Sequence, residues 1–215
     1  MELFQVKPNV YYGKDALHSL KDLDVKKVFI VTDENMVKLK VINHVTDILD
    51  NMNLEIKIFS EVKPDPTDQE IISGMIEMNK FNPDCIIALG GGSPIDACKA
   101  MLYFTNKIKR AIGETVEKQR FVVIPTTSGT GSEVTTYSVI TANGQKIALS
   151  DEEMLPDIAI LDPEFIRTLP KQIIADTGMD VLTHAIEAYV SLKSSLFTDS
   201  LAIGAIKTVF NDLVN

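Results

Sequence analysis

The stretch CIIALGGGSPIDACKAM, residues 85–101, decides the fold. Cys85 to Leu89 are consecutive apolar residues, with the length and composition of a strand buried on both faces. Gly90, Gly91, Gly92 and Ser93 follow at once, and a helical apolar period runs on to about Phe104. Glycines let the backbone approach a ligand closely, and free N–H groups at a helix start attract anions. Strand, glycine loop and helix together therefore read as a phosphate cradle. The alternative is a tight turn with no ligand, which three consecutive glycines disfavour through lost backbone entropy. The spacing is not the GxGxxG of the dinucleotide fingerprint, so that rule does not apply directly.

Working outward, strand and helix signals take turns, as in an α/β domain with a mostly parallel sheet. Val28 to Thr32 is a second continuous apolar strand, and Val37, Val41, Val45, Ile48, Leu49 and Met52 predict one amphipathic helix after it. Leu54, Ile56 and Ile58 alternate with polar residues as in a half-buried strand. Pro64, Asp65 and Pro66 form a stiff turn. Thr67 then caps a helix whose expected apolar face is Ile71, Ile72, Met75, Ile76 and Phe81. Phe121 to Ile124 is a buried strand ended by Pro125. Asn143 and Gly144 are the pair favoured by two-residue hairpins, and Asp157 to Leu161 is the last strand-like run. From about Pro163 only helical periodicity remains, which places a boundary near Leu169 and Pro170. Residues 1–169 form the α/β domain and residues 170–215 begin an all-helical one.

Composition limits what such a chain does. Its 215 residues are 45% hydrophobic and 24% charged, which excludes disorder as the main organisation. Against 30 Asp and Glu stand 21 Lys and Arg, a net charge of −9 that repels nucleic acid and anionic membrane surfaces. The densest basic stretch, Lys107 to Arg110, reads as an exposed helix end. The apolar runs have strand length, well short of a membrane span, and Met1 to Val10 lacks the apolar core of a secretory signal. Cys85 and Cys98 have neither metal nor disulfide-framework spacing, so a reducing, cytoplasmic setting is expected.

Four further groups of residues carry candidate chemistry. Thr126, Thr127, Ser128, Gly129, Thr130, Gly131 and Ser132 follow a buried strand and belong at the carboxyl edge of the sheet, where open α/β sheets bind ligands. Asp33, after the strand Val28 to Thr32, is placed either to accept from a ribose hydroxyl or to cap the next helix. Asp96 and Lys99, beyond the glycine loop, read from spacing alone as a solvated helix pair. Asp180 and His184, four residues apart, offer one oxygen and one nitrogen ligand on one side of a helix, suited to Fe(II), Zn or Mn. A catalytic site wants at least three protein ligands. His18 and His44 lie on ordinary helices of the first domain, so the chain holds half a metal site.

These blocks resemble the iron-dependent (group III) alcohol dehydrogenases. The resemblance spans GGGSPIDACKAM at 90–101, IPTTSGTGSEVT at 124–135, LPDIAILDPEF at 155–165 and DTGMDVLTHAIEAYVS at 176–191, with Asp162, Pro170, Asp180 and Glu187 in register. It implies a dehydroquinate synthase-like architecture, in which an NAD(P)-binding α/β domain faces an all-α metal domain. It further implies a cofactor site of Asp33, Gly91, Gly92, Ser93, Asp96, Thr126, Thr127, Thr130 and Lys146, with Asp180 and His184 as the first two of four metal ligands. Asp33 implies NAD over NADP. Asp65 departs from the family's Asn, and its carboxylate cannot donate to an adenosine.

The activity implied is interconversion of a small primary alcohol and its aldehyde, with Fe(2+), or Zn as the alternative, in a homo-oligomeric enzyme. The other readings are a zinc-dependent polyol dehydrogenase of the same fold and a non-catalytic NAD-binding fragment. The family's remaining ligands are histidines beyond Asn215, so the chain is expected to be truncated and inactive alone.

Overall fold

The computed structural model describes residues 4–167 and 169–213. The outer ends of both expected domains, residues 1–3 and 214–215, and Thr168 beside the expected boundary lie outside the described residues.

Six parallel strands form the central sheet in the order β1-β8-β5-β4-β2-β3. They are β1 (Asn9–Tyr12), β2 (Lys27–Asp33), β3 (Glu55–Val62), β4 (Cys85–Gly90), β5 (Arg120–Pro125) and β8 (Ile158–Leu161). β4 lies mid-sheet and is buried at all six positions, as its unbroken apolar run requires. The antiparallel pairing is confined to a separate hairpin, β6 (Tyr137–Ala142) and β7 (Gln145–Ser150). Asn143 at φ 51° and Gly144 at φ 74° make its turn, both in the left-handed region such a turn demands.

Side chains alternate between two cores. Phe29, Val31, Ile86 and Ala88 pack under α3 (Asp68–Phe81) and α4 (Gly92–Ala111). Val28, Ile30, Ile87 and Leu89 pack under α2 (Asn43–Asn51) and a 3-10 turn at Ala16–Asp22. The crossover from β2 to β3 therefore covers one face, whereas those from β3 to β4 and from β4 to β5 cover the other. Adjacent strands β2 and β4 send the chain to opposite faces, and a crevice opens at their carboxyl ends, between Asp33 and Gly90.

The structure changes several expectations. The single helix expected over Val37 to Met52 is two, α1 (Glu34–Lys38) and α2, broken where Lys40 adopts φ 57°. Apolar spacing continues across the break, so periodicity does not reveal it. α3 has the expected Thr67 cap, elaborated into a capping box with Glu70, but Ile72 and Ile76 are exposed while Gly74 and Met78 are buried. A Cβ on Gly74 would lie 2.3 Å from Met101 Cε, so the tip of the Met101 side chain packs directly over this glycine where α3 meets α4. α4 continues past Phe104 to Ala111, and Arg110 in its last turn pairs with Glu153. The edge strand β1 has only a short apolar run at residues 10–12, exposed throughout, and the strand pattern does not predict it.

Beyond the sheet, α5 (Lys171–Val190) and α6 (Leu196–Asp212) pack mainly against each other. Their buried side chains among the described residues are Ala185 and Ala202, while Leu192, Leu196, Leu201 and Phe210 are largely exposed and the half-exposed Phe197 stacks on Phe4 with ring centroids 5.0 Å apart. No helix among the described residues is long and apolar enough to cross a membrane.

Candidate functional site

The crevice is built from two interlocking loops. Gly90 holds φ 148°, and a Cβ there would meet the Pro94 ring at 2.6 Å. A Cβ on Gly91 would lie 3.3 Å from Thr127 Oγ1, and one on Gly92 would lie 2.9 Å from Thr130 Cγ2. The Thr126 amide donates to the Gly90 carbonyl at 2.9 Å, tying the loops at their roots. Gly90, Gly91 and Gly92 are thus brought against Thr126, Thr127 and Thr130, while Ser93 follows in the first turn of α4.

The N-terminus of α4 lies in this crevice, and Gly91 at its N-cap brings no side-chain cap. α3 and α6, by contrast, each satisfy a third-position amide and the N-cap amide through a capping box. Pro94 in the first turn has no amide to satisfy. The remaining first-turn amides and the helix dipole suit a phosphate group at this position.

Asp33 realises its capping role: Oδ1 accepts from the Asn35 amide at 2.8 Å and the Met36 amide at 3.2 Å. Both bonds fall on one oxygen, so the carboxylate keeps capacity for a further donor at the mouth of the crevice.

Asp96 and Lys99 do not form the solvated pair that spacing suggests. Lys99 is 0% exposed. Its Nζ lies 2.5 Å from Ser132 O, 2.8 Å from Thr135 O and 2.8 Å from Tyr137 O. Asp96 accepts from Ser132 Oγ at 2.7 Å through Oδ1 and from the Val139 amide at 3.0 Å through Oδ2. Burial raises its pKa, opposed by those two bonds and by Lys99. Both side chains fasten the loop after β5 and the hairpin beyond it. Helical spacing shows neither, because the anchoring partners lie more than thirty residues downstream.

Lys146 lies on β7 with its Nζ 2.7 Å from Asp65 Oδ1, both side chains about two-thirds exposed. An open pair of this kind costs little to separate. Asp65, at φ 57°, is thus the partner of Lys146, and among the described residues no hydrogen bond or ion pair ties this lysine to the glycine and threonine loops.

Asp180 and His184 share one face of α5, with Oδ1 and Nε2 3.6 Å apart and each side chain partly exposed. Their donor types fit a divalent transition metal, but their number does not complete a site. No group of three or more His, Cys, Asp or Glu able to hold a metal occurs among the described residues. The two halves of the site nevertheless touch. A Cβ on Gly129 would lie 2.9 Å from Thr177 Cβ, so the second loop abuts α5 one turn before Asp180. The Ser/Thr run holds two glycines, Gly129 and Gly131, and its sequence does not show that Gly129 is the one that meets α5.

A cavity of about 410 Å³ lies elsewhere. It is lined by residues including His18, His44 and Asp162, and by none of the crevice residues.

Comparison with known proteins places this geometry. The profile described as "Iron-containing alcohol dehydrogenase" matches residues 8–163, and that of the "Fe-containing alcohol dehydrogenase family, C-terminal" matches residues 174–215. Aldehyde-alcohol dehydrogenase 2 of Entamoeba histolytica is 43% identical over 100% of this chain and 27% of its own length. The NADPH-dependent butanol dehydrogenase of Clostridium saccharobutylicum is 41% identical over 97% of this chain and 57% of its own. The sulfoacetaldehyde reductase of Bifidobacterium kashiwanohense, solved in complex with NAD+, superposes with a TM-score of 0.88 at 29% identity, covering 99% of this chain and 60% of that one. This chain spans between about a quarter and three-fifths of these relatives. The crevice, the interlocked loops and the pair on α5 belong to a chain that is a member of the iron-containing alcohol dehydrogenase family.

Proposed function

We propose that this chain forms the nucleotide-binding body, and supplies the first two metal donors, of an NAD-dependent enzyme that interconverts a small primary alcohol and its aldehyde. The observation that carries the reading is the uncapped start of α4 held against Thr126, Thr127 and Thr130 at the switch point of the sheet. First-turn amides of α4 hold the pyrophosphate. The threonine hydroxyls would offer further polar contacts to the bound nucleotide, and the second oxygen of Asp33 would accept from a ribose hydroxyl. A 2′-phosphate there would face the Asp33 carboxylate, which favours NAD over NADP even though one relative bears an NADPH-dependent name.

Asp180 and His184 hold one side of the metal, Fe(2+) first and Zn second. When bound, the metal polarises the substrate oxygen and the nicotinamide carries the hydride. Gly129 against Thr177 sets the distance between nucleotide loop and metal helix, so this contact governs the alignment of the two. The setting proposed is cytoplasmic and homo-oligomeric.

With two proposed donors among the described residues, this chain by itself binds metal weakly and turns over no substrate. Fluorescence titration with NADH, followed by an assay of aldehyde reduction with and without Fe(2+), tests both halves of the proposal. Saturable NADH binding without turnover is the expected result. Absence of binding overturns the nucleotide assignment, and metal-dependent turnover overturns the assignment of half a metal site.

A further inference from the structure

The loop that follows β5 is fastened from beneath by a single charge. Between Thr126 and Tyr137 its regular structure is one 3-10 turn, Ser132–Val134, so its shape depends on side-chain anchoring. Lys99 provides it. An ammonium has three N–H donors, and three backbone carbonyls, from Ser132, Thr135 and Tyr137, lie within 2.8 Å of this one. The hydroxyls of Ser132 and Thr135, at 3.0 and 3.2 Å, complete the cage. Three residues earlier on α4, Asp96 pins Ser132 Oγ and the Val139 amide. The glycine loop and this anchor therefore sit on consecutive turns of the same helix.

We propose that Lys99 is the positioning residue of the nucleotide site: its buried ammonium holds the Thr126–Tyr137 loop in the shape that seats Thr127 and Thr130 against Gly91 and Gly92. The inference rests on the nucleotide reading above and adds that binding depends on a charge lying behind the loop.

Removing that charge leaves three inward-facing carbonyls without their donor. Titration acts in the same direction. The charged groups facing Lys99 are Asp96 on its own helix and Glu133 on the loop. Burial lowers the lysine to about 8, with those two carboxylates opposing. Above that pH a neutral amine offers two N–H groups to three carbonyls, and the loop loosens. The fold does not loosen with it. Because the folded value lies below the ordinary 10.5, the unfolded chain binds more protons between the two, so this group's contribution to global stability rises with pH across that window. Alkaline pH thus separates loop order from fold stability.

The test measures NADH affinity by fluorescence and amide exchange over residues 126–139, corrected for intrinsic rates, in wild type and Lys99→Met. At pH 7 the variant should bind NADH at least tenfold more weakly, exchange faster in the loop alone, and keep its sheet protection. Wild type should lose about fivefold in affinity between pH 7 and 9.5 with no fall in thermal midpoint, and the variant should show no such step. Lys99→Ala should regain affinity with added propylammonium and not with propanol. Affinity within twofold of wild type in a folded variant overturns the proposal, whether or not loop exchange changes. If neither variant folds, wild type decides, and flat affinity and flat loop exchange from pH 7 to 9.5 overturn it. If wild type binds no NADH at pH 7, the nucleotide reading fails, and loop exchange then judges the anchor by itself.

Discussion

The α/β body and the α5–α6 pair carry the same family's signature and are finished to different degrees. In the body, two apolar cores close the sheet on both faces, and the nucleotide loops are locked to each other by contacts of a few ångströms. In the helical pair the buried side chains among the described residues are two alanines, and the proposed metal donors there are one carboxylate and one imidazole. The proposed nucleotide site draws on a single sheet edge, so all of its residues lie within the α/β body. A metal site needs donors from several elements, and here one helix supplies them.

Substitutions with the largest expected effects test the finished half. Phe29 is fully buried beside Phe59 and Phe81, with ring centroids 6.5 and 6.2 Å away. Phe29→Ala should cost about 3–5 kcal/mol in urea unfolding, whereas Phe210→Ser on α6, already 63% exposed, should change stability by less than about 0.5 kcal/mol. Comparable losses at the two positions would show that the helical pair is as well packed as the body. Gly92→Val drives a side chain into Thr130 and should weaken NADH about 100-fold, roughly 2.7 kcal/mol, with little loss of fold.

Smaller effects sharpen the contrast. Asp33→Ala should narrow the preference for NADH over NADPH about tenfold, near 1.4 kcal/mol, and loss of the cap should cost about 1 kcal/mol. An unchanged preference in a folded protein would leave Asp33 only its capping role. Leu201→Gln and Phe197→Ser together should reduce self-association in sedimentation, since both stand exposed on α6. A wild-type chain that already sediments as a monomer would show that these faces do not drive association. Separating the Lys146–Asp65 pair with Asp65→Asn should alter stability by less than about 0.5 kcal/mol.

What the sequence made legible follows from the range of the forces involved. β4, the glycine turn and α4 are specified by adjacent residues, and so is the Asn143–Gly144 hairpin, whose left-handed pair has few alternatives. The break at Lys40 carries no glycine or proline and lies within an uninterrupted apolar period, so it is visible only in three dimensions. Edge strand β1 is exposed at all four positions and needs no apolar run to pair with β8. Lys99 was the hardest to read. Its spacing from Asp96 is that of an exposed helix pair, and the carbonyls that bury it are 33 to 38 residues away. The loops of the site were legible, and the charge that anchors one of them was not.

The central claim is that nucleotide recognition is complete within the α/β body and independent of the metal pair. Isothermal titration of metal-free wild type and of the Asp180→Ala/His184→Ala double variant with NADH tests it most directly. The account predicts one saturable site per chain, with the same affinity in both proteins. Binding that appears only with added metal, or that is lost in the double variant while its fold is kept, would contradict it.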